Sequence, residues 1–361
     1  MTINQCSELE TNQKEAFMKF RVLAVLLAAA VMGGCLTGCG SSETETSASA
    51  DNEYQKIELV MAVNGTDIQI DTKVADKFAE LVDEASDGNV TISVYPNDQL
   101  AGGNASKGIE MIAGGGVDLA AYATSVLSVI DRQLGVGTLP WVFNNYQEAR
   151  ETIDGTGGEY YATRLAAKGL TYLGSFHNGF RQISNSKHEV KTPEDVKGLK
   201  IRVPGSEVYM GVFRQFGADP VAMSWSEVFT ALQQGTIDGQ ENGASITASA
   251  KMPEVQKYFT VWNYVYDSDL IIANSKVWDN LEPATQELLA EKAKEACEWG
   301  RNHLEAEEEQ LYASFEAQGM HVTKLTAEEL EPFKEVVKDF KAQLIVSYGE
   351  EACNAFGITA E

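Results

Sequence analysis

The chain has 361 residues, of which 44% are hydrophobic and 22% charged, as in soluble globular proteins. Its 53 acidic and 28 basic side chains give a formal net charge of −25. Because a nucleic-acid surface needs clustered lysine and arginine, this balance argues against a nucleic-acid partner. The length favours two domains over one.

The N-terminal segment is predicted to be an upstream extension and a lipoprotein signal peptide, ending at residue 38. Lys19 and Arg21 precede the eleven-residue apolar run Val22–Met32, which suits a signal peptide and is too short to span a bilayer. Leu36-Thr37-Gly38-Cys39 follows and resembles the lipobox of bacterial lipoproteins. The resemblance implies that Cys39 is diacylated, becomes the first mature residue and anchors the protein to a membrane.

Two details at this end of the chain stay open. Gly33-Gly34-Cys35 is a second, weaker lipobox, because no aliphatic residue lies three places before its cysteine. Residues 1–17 are not apolar, so translation starts either at Met1 or at Met18.

A flexible tether is predicted for residues 39–53, because they are rich in Ser, Thr, Ala and Glu and show no apolar period. Processing at Cys39 leaves Cys297 and Cys353 as the thiols of the folded part. These two cysteines either form one disulfide or stay buried and unpaired. We expect them to be unpaired, because such a large core needs no covalent staple.

From residue 57 the sequence alternates between strand and helix patterns. The predicted elements here are a strand at 57–64, a helix ending at Gly88, a strand at 90–95, a helix at 104–113 and a strand at 119–123. This order is typical of a sheet with helices packed on it. The three glycines at 114–116 are predicted to end a helix and not to bind phosphate, because no Lys-Ser/Thr follows them.

The same alternation continues to the C-terminus. The predicted elements are helices at 146–153 and 158–168, a strand at 170–176, a short helix from Thr192, a strand at 200–203, helices at 206–216 and 224–234, strands at 258–264 and 270–274, a helix at 283–318, a strand at 321–325 and closing helices from Thr326. Ser224 with Glu227, and Thr326 with Glu329, have the spacing of capping boxes. The helix at 283–318 would be about 54 Å long, so we expect it to run across both domains.

Two arginines lie close together between residues 178 and 207 of this acidic chain. Arg181 follows a predicted strand and a predicted turn at Asn178-Gly179, and Arg202 lies inside the strand at 200–203. A guanidinium stays charged and presents a planar fork of donors that fits a carboxylate. We therefore expect at least one of the two to bind an acidic small molecule.

Three motifs in this region resemble the solute-binding subunits of TRAP transporters, the DctP family. They are NGFRQ at 178–182, TPEDVKGLKIRVP at 192–204, and ALQ at 231–233 followed by DGQEN at 238–242. The motifs have the family's order and spacing, and the resemblance extends from Ile57 to the C-terminal helices. It implies an α/β, two-lobed periplasmic-binding-protein-like fold, with a hinge and a long helix that crosses both lobes.

The resemblance also implies how the chain divides. Lobe I is expected at 54–178 with about 267–300, and lobe II at 179–266 with about 301–361. The two lobes of such a protein close on an organic anion.

Five residues match positions that bind ligand in this family. Arg202 corresponds to the arginine that grips the ligand carboxylate, and Arg181 to a nearby arginine that supports or joins that contact. Asn242 matches an asparagine that hydrogen-bonds the ligand, and Trp225 matches an aromatic wall of the pocket. Asn64 matches a contact from the first lobe.

Three further residues are candidates because of their positions. Trp141 and His177 flank the presumed cleft, and Asp269 follows a predicted strand, where it would bind a ligand hydroxyl or cap the chain. The sequence departs from the family at Gly243, where proline is usual, and this predicts a looser loop around Asn242.

The resemblance implies capture of a small organic anion outside the cytoplasm and its delivery to TRAP membrane subunits, which draw on an ion gradient. One carboxylate anchor with aromatic walls and amide or hydroxyl partners favours a sugar acid, either a uronate or an aldonate. Residues 122–125 lack the acid that sialic-acid binders carry, which ranks sialic acid below simpler sugar acids.

The sequence leaves two alternatives open. A C4-dicarboxylate is the alternative ligand in the same family, and a structural or adhesive surface lipoprotein is the alternative of a different class. An enzyme is disfavoured, because the four histidines have no metal-ligand spacing and no G-x-S-x-G motif is present. We expect a monomer with no cofactor, no metal and no catalytic residue.

Overall fold

The computed structural model describes residues 54–359. The predicted signal peptide, Cys39 and the predicted tether lie outside the described residues. The strands are β1 (Ile57–Val63), β2 (Val90–Tyr95), β3 (Leu119–Ala123), β4 (Leu170–Asn185), β5 (Lys200–Val203), β6 (Asp219–Ala222), β7 (Gly239–Asn242), β8 (Tyr258–Asn274) and β9 (His321–Lys324).

The helices surround these strands. They are α1 (Ile70–Ala85), α2 (Ala105–Gly114), α3 (Thr124–Leu127), α4 (Tyr146–Asp154), α5 (Thr156–Ala166), α6 (Glu207–Gln215), α7 (Trp225–Gln233), α8 (Ala244–Ser249), α9 (Ser275–Asp279), α10 (Pro283–Ala317), α11 (Ala327–Tyr348) and α12 (Glu350–Ala355). Short 3-10 turns lie at Gln99–Ala101, Arg132–Thr138, Pro193–Val196 and Met252–Glu254. Most predicted elements are thus confirmed, whereas β6, β7, α3, α8 and α9 were not predicted.

The strands form one sheet in the order β2-β1-β3-β8-β4-β7-β5-β6, with β9 beside β8. Its centre is the antiparallel pair of β4 and β8, which have 16 and 17 residues. One end of β8 pairs with β3, which leads into parallel β1 and β2. The other end of β4 pairs with β7, which leads into parallel β5 and β6. The predicted two-lobed α/β fold is confirmed, and β4 and β8 pass from one lobe to the other.

Two local predictions about β4 and β8 are wrong. The turn predicted at Asn178-Gly179 lies inside β4, where the register shifts between His177 and Gly179. Gly179 has a φ of +108°, so this glycine takes up the irregularity without ending the strand. The two strands predicted at 258–264 and 270–274 form the single strand β8, whose polar residues 267–269 pair with 176–179 of β4.

The predicted long helix is confirmed as the 35-residue α10. It packs against α1 of one lobe, along β4, and against α8 of the other lobe. Gly300 permits the close approach to α1, because a Cβ at this position would lie 2.3 Å from Cγ2 of Val74. Next to it, both Nη atoms of Arg301 donate to the Asp154 carboxylate at 2.7 Å and fasten α10 to α4.

Cap geometry confirms two of the predicted helix termini and contradicts a third. Thr326 and Glu329 form their capping box, and Gly115, with a φ of +79°, ends α2 as predicted. The box predicted for Ser224 and Glu227 is wrong, because the Ser224 side chain makes no capping hydrogen bond. The thiols of Cys297 and Cys353 are buried and unpaired. Among residues 54–359, no helix has the length and apolar character needed to cross a membrane.

Candidate functional site

A cleft lies at the ends of the short parallel strands of both lobes. The residues that line it are Asn64, Gln69, Asp71, Ala123, Ser125, Val126, Asn178, Arg181, Arg202, Pro204, Trp225, Asn242 and Ile246. Asn64 and Pro204 directly follow β1 and β5, and Ser125 lies two residues after the end of β3. Ligands of α/β proteins bind beyond the carboxyl ends of such strands. Five of the eight predicted ligand-binding residues therefore meet in one cleft.

Arg202 is a buried guanidinium that keeps unused donors. Its side chain is 5% exposed, and its Nε and Nη2 donate to the carbonyl oxygen of Met223 at 3.0 and 2.8 Å. Two of its five N–H groups are thus used, and within residues 54–359 no carboxylate forms an ion pair with it. Burial lowers the pKa of Arg202 to about 9, which leaves the group positive at neutral pH. A buried charge without a counter-ion is costly, so an anion in the cleft would be stabilised here.

Trp225 covers this guanidinium. The Arg202 Cζ atom lies 5.2 Å from the centroid of the Trp225 ring, within the range of a cation–π contact. The indole Nε1 donates to Oε1 of Gln69 at 2.8 Å. Trp225 belongs to α7 of one lobe and Gln69 precedes α1 of the other, so this bond crosses the cleft.

Arg181 also lines the cleft, but all its donors are engaged by the protein. Nε and Nη2 donate to the two carboxylate oxygens of Glu241 at 2.6 and 2.8 Å, and Nη2 also reaches the Glu241 carbonyl at 2.9 Å. Nη1 donates to Asn178 at 2.9 Å and to Asp267 at 3.4 Å. Burial opposes the charge, yet Glu241 holds the pKa of Arg181 well above its ordinary value. Arg181 is therefore fixed in a buried ion-pair network.

Asn242 ends β7, where it pairs with Gln182 of β4. Its Nδ2 donates to Oε1 of Gln240 at 3.3 Å. A Cβ at Gly243 would lie 3.1 Å from the Asn178 carbonyl oxygen, so the glycine lies close to β4. The looser loop predicted around Asn242 stays a prediction.

Buried acids lie on the lobe I side of the cleft. Asn64 donates to Asp98, which also accepts the Tyr122 hydroxyl, and burial raises the pKa of Asp98 to about 6. Asp71 accepts the Gly65 N–H at 2.7 Å and the Thr72 N–H at 3.0 Å. Burial, with a smaller contribution from Asp98, raises the pKa of Asp71 to about 7.

The other three predicted site residues do not line the cleft. His177 is fully buried and its ring nitrogens pair with the Tyr266 hydroxyl at 2.7 Å and with Glu305 of α10 at 2.9 Å. Trp141 packs on β8, where its Nε1 donates to the Trp262 carbonyl oxygen at 3.3 Å. Asp269 lies behind the cleft. It accepts from Asn178 at 3.1 Å, and burial raises its pKa well above the ordinary value.

This geometry agrees with comparisons to known proteins. The family model for bacterial extracellular solute-binding protein family 7, DctP, matches residues 61–345. The chain belongs to the DctP family. It is a solute-binding subunit of the TRAP type, and the family consists of extracytoplasmic binding proteins and not of enzymes.

Two curated relatives and one solved structure illustrate the family. The 2,3-diketo-L-gulonate-binding periplasmic protein YiaO of Escherichia coli is 32% identical over 248 residues, which cover 69% of this chain and 75% of YiaO. The C4-dicarboxylate-binding periplasmic protein DctP of Rhodobacter capsulatus is 32% identical over 78% of this chain and 85% of its own. The sugar acid binding protein of Advenella mimigardefordensis, in complex with galactonate, has a TM-score of 0.80 and 29% identity, covering 84% and 97% of the two chains.

Several cleft residues of this DctP-family chain were not predicted. Gln69, Asp71 and Ser125 follow parallel strands, and that position is the signal which would have indicated them. Asn178 belongs to a recognised motif, but it was interpreted only as part of a turn. Among residues 54–359, no group of three or more His, Cys, Asp or Glu side chains is arranged to hold a metal ion.

Proposed function

We propose that this chain captures a sugar acid, a uronate or an aldonate, outside the cytoplasm and delivers it to TRAP membrane subunits. The observation that carries the proposal is Arg202, a buried guanidinium with three N–H groups unused and no ion-pair partner among the described residues. A ligand carboxylate would supply that partner through charge-assisted hydrogen bonds, which are stronger than neutral ones.

The rest of the cleft suits a ligand with one carboxylate and several hydroxyl groups. Arg181 has no free donor, so Arg202 is the one arginine at the cleft that is available to an anion. Around it lie the amides of Asn64 and Asn242, which can form hydrogen bonds with ligand hydroxyls. The hydroxyl of Ser125 donates its proton to Asp267 and can accept one from a ligand hydroxyl. The galactonate complex of the Advenella protein supports this ligand class.

A C4-dicarboxylate is the second candidate, because the Rhodobacter relative is a C4-dicarboxylate-binding protein. Its second carboxylate would have to compete with Glu241 or Asp267 for Arg181. Both acids are buried against that arginine, so this competition disfavours a dicarboxylate here.

We also propose a cellular location and an oligomeric state for the protein. The lipobox at 36–39 supports cleavage and a lipid anchor at Cys39, which would hold the binding domain at the cell surface through the tether of residues 39–53. Both walls of the cleft come from a single chain, which supports action as a monomer.

A thermal-shift screen tests the proposal. The purified mature chain is heated with uronates, aldonates, C4-dicarboxylates and the matching uncharged sugars, because a ligand that binds only the folded state raises the melting temperature. We expect sugar acids to raise it, and the uncharged sugars to leave it unchanged. Stabilisation by dicarboxylates alone would identify a C4-dicarboxylate as the ligand class. No shift with any acid would favour a structural or adhesive surface lipoprotein.

A further inference from the structure

Asp71 is the one carboxylic acid among the side chains that line the described cleft. It is the second residue of α1 and 6% exposed. One carboxylate oxygen accepts the Gly65 N–H and the other accepts the Thr72 N–H. A Cβ at Gly65 would lie 2.0 Å from an oxygen of Asp71, so the loop before α1 is shaped around this carboxylate.

These two bonds leave acceptor capacity on Asp71. A carboxylate has about four lone-pair sites, and the backbone takes one on each oxygen. A buried acceptor is stabilised when a donor reaches it, and a hydroxyl group is a donor that carries no charge. The N–H of Asp71 itself is a third backbone donor to this carboxylate, which leaves one of the four sites for a ligand.

The charges around the cleft differ between its two sides. On the lobe II side, Arg202 has no acidic partner among the described residues, while Arg181 is neutralised by Glu241 and Asp267. On the lobe I side, Asp98 and Asp269 lie close enough to act on the charge of Asp71. Above pH 7, where Asp71 is charged, the cleft is thus positive at Arg202 and negative at Asp71.

We infer that Asp71 determines specificity by accepting a ligand hydroxyl while Arg202 holds the ligand carboxylate. This inference rests on the proposed function and narrows it to hydroxylated monocarboxylates. An acid without hydroxyls leaves this acceptor site of Asp71 unfilled. A dicarboxylate would bring a second negative charge toward Asp71, where like charges repel in a buried setting.

Titration calorimetry at pH 8, where Asp71 is largely charged, tests the inference with three probes. Galactonate has one carboxylate and several hydroxyls, hexanoate has the same number of carbons and no hydroxyls, and succinate has two carboxylates. The wild type is compared with Asp71→Asn, and with Asp67→Asn as a control that removes a nearby exposed charge outside the cleft. Asp71→Ser also removes the charge and serves as a second variant if the Asp71→Asn protein does not fold.

The wild type should bind galactonate at least about tenfold more tightly than hexanoate or succinate. Asp71→Asn and Asp71→Ser should weaken galactonate about 10- to 100-fold, the range for a hydrogen bond to a charged group. They should leave the affinity for hexanoate unchanged and should not lower the affinity for succinate. Asp67→Asn should have the wild-type affinity for all three probes.

Equal loss of galactonate and hexanoate affinity in the Asp71 variants would overturn the inference, and so would unchanged galactonate affinity. In both cases binding by the wild type would leave the proposed function standing. If the wild type prefers succinate, the inference fails while capture of an organic acid stands. If it binds none of the sugar acids and dicarboxylates, the proposed function fails together with the inference.

Discussion

The indole N–H of Trp225 donates to the Gln69 side chain across the cleft, with 2.8 Å between Nε1 and Oε1. The next residue, Ser226, donates its hydroxyl to the carbonyl oxygen of Gly103 at 3.0 Å. Both bonds start from the first turn of α7 in one lobe and end on loops of the other. The residue that stacks on Arg202 therefore also ties the two walls of the cleft together.

Replacing Trp225 with Phe tests this double role. The ring that covers Arg202 is largely kept, but the bond to Gln69 is lost. We expect sugar-acid affinity to fall by about 0.5–1.5 kcal/mol, the contribution of one neutral hydrogen bond. Titration calorimetry measures the change, with Trp299→Phe as a control because that tryptophan is 36% exposed and outside the cleft. Unchanged affinity in Trp225→Phe would show that the bond does not contribute to capture.

Arg181→Ala should act mainly on folding. Its removal leaves Glu241 and Asp267 buried without their cation, and breaking such a pair costs about 3–5 kcal/mol. Urea unfolding should show that loss, whereas Arg214→Ala, at an exposed position of α6, should change the free energy of unfolding by less than about 0.5 kcal/mol. A stable Arg181→Ala variant that has lost ligand affinity would instead make Arg181 a direct ligand contact.

Asp71 should make stability depend on pH. In the folded state it keeps its proton up to about pH 7, while the unfolded chain loses it near the ordinary value of 3.8. The stability from this group is therefore fully present below pH 3.8 and is lost as the pH rises through 7. Without ligand, the free energy of unfolding of Asp71→Asn relative to wild type should thus rise between pH 5 and 8, by on the order of 1–3 kcal/mol.

Urea unfolding at a series of pH values measures this difference directly. Asp67→Asn is the matched control, since Asp67 is exposed in the loop before α1 and its difference from wild type should stay constant. Parallel pH curves for Asp71→Asn and wild type would contradict a raised pKa of Asp71.

Much of the fold was predictable because its signals are local. Apolar periodicity and caps placed most elements, including the helix that became α10 and the glycine that ends α2. The continuity of β4 and β8 was not predictable in this way. Asn178-Gly179 has the composition of a turn and residues 267–269 are polar, yet the strands continue because a bulge accommodates Gly179 and buried partners satisfy Asp267.

The site was predictable only in part, for a related reason. Arg202 and Trp225 lie in motifs whose spacing matches a family, and both line the cleft. His177 is a neighbour of cleft residues in sequence, but its side chain turns toward α10, and a linear sequence does not fix that direction. Asp71 lies in none of the motifs that resemble the family. Only the tertiary structure, which brings lobe II over it, makes Asp71 part of the cleft.

The central claim is that Arg202 captures a ligand carboxylate. Titration calorimetry of the wild type and Arg202→Ala with galactonate and with galactitol, its uncharged counterpart, tests it most directly, with Arg214→Ala as the matched control. We predict that the wild type and Arg214→Ala bind galactonate and not galactitol, and that Arg202→Ala loses about 2–5 kcal/mol of galactonate binding free energy. Near-normal affinity of folded Arg202→Ala for galactonate, or equal binding of galactonate and galactitol by the wild type, would contradict the claim.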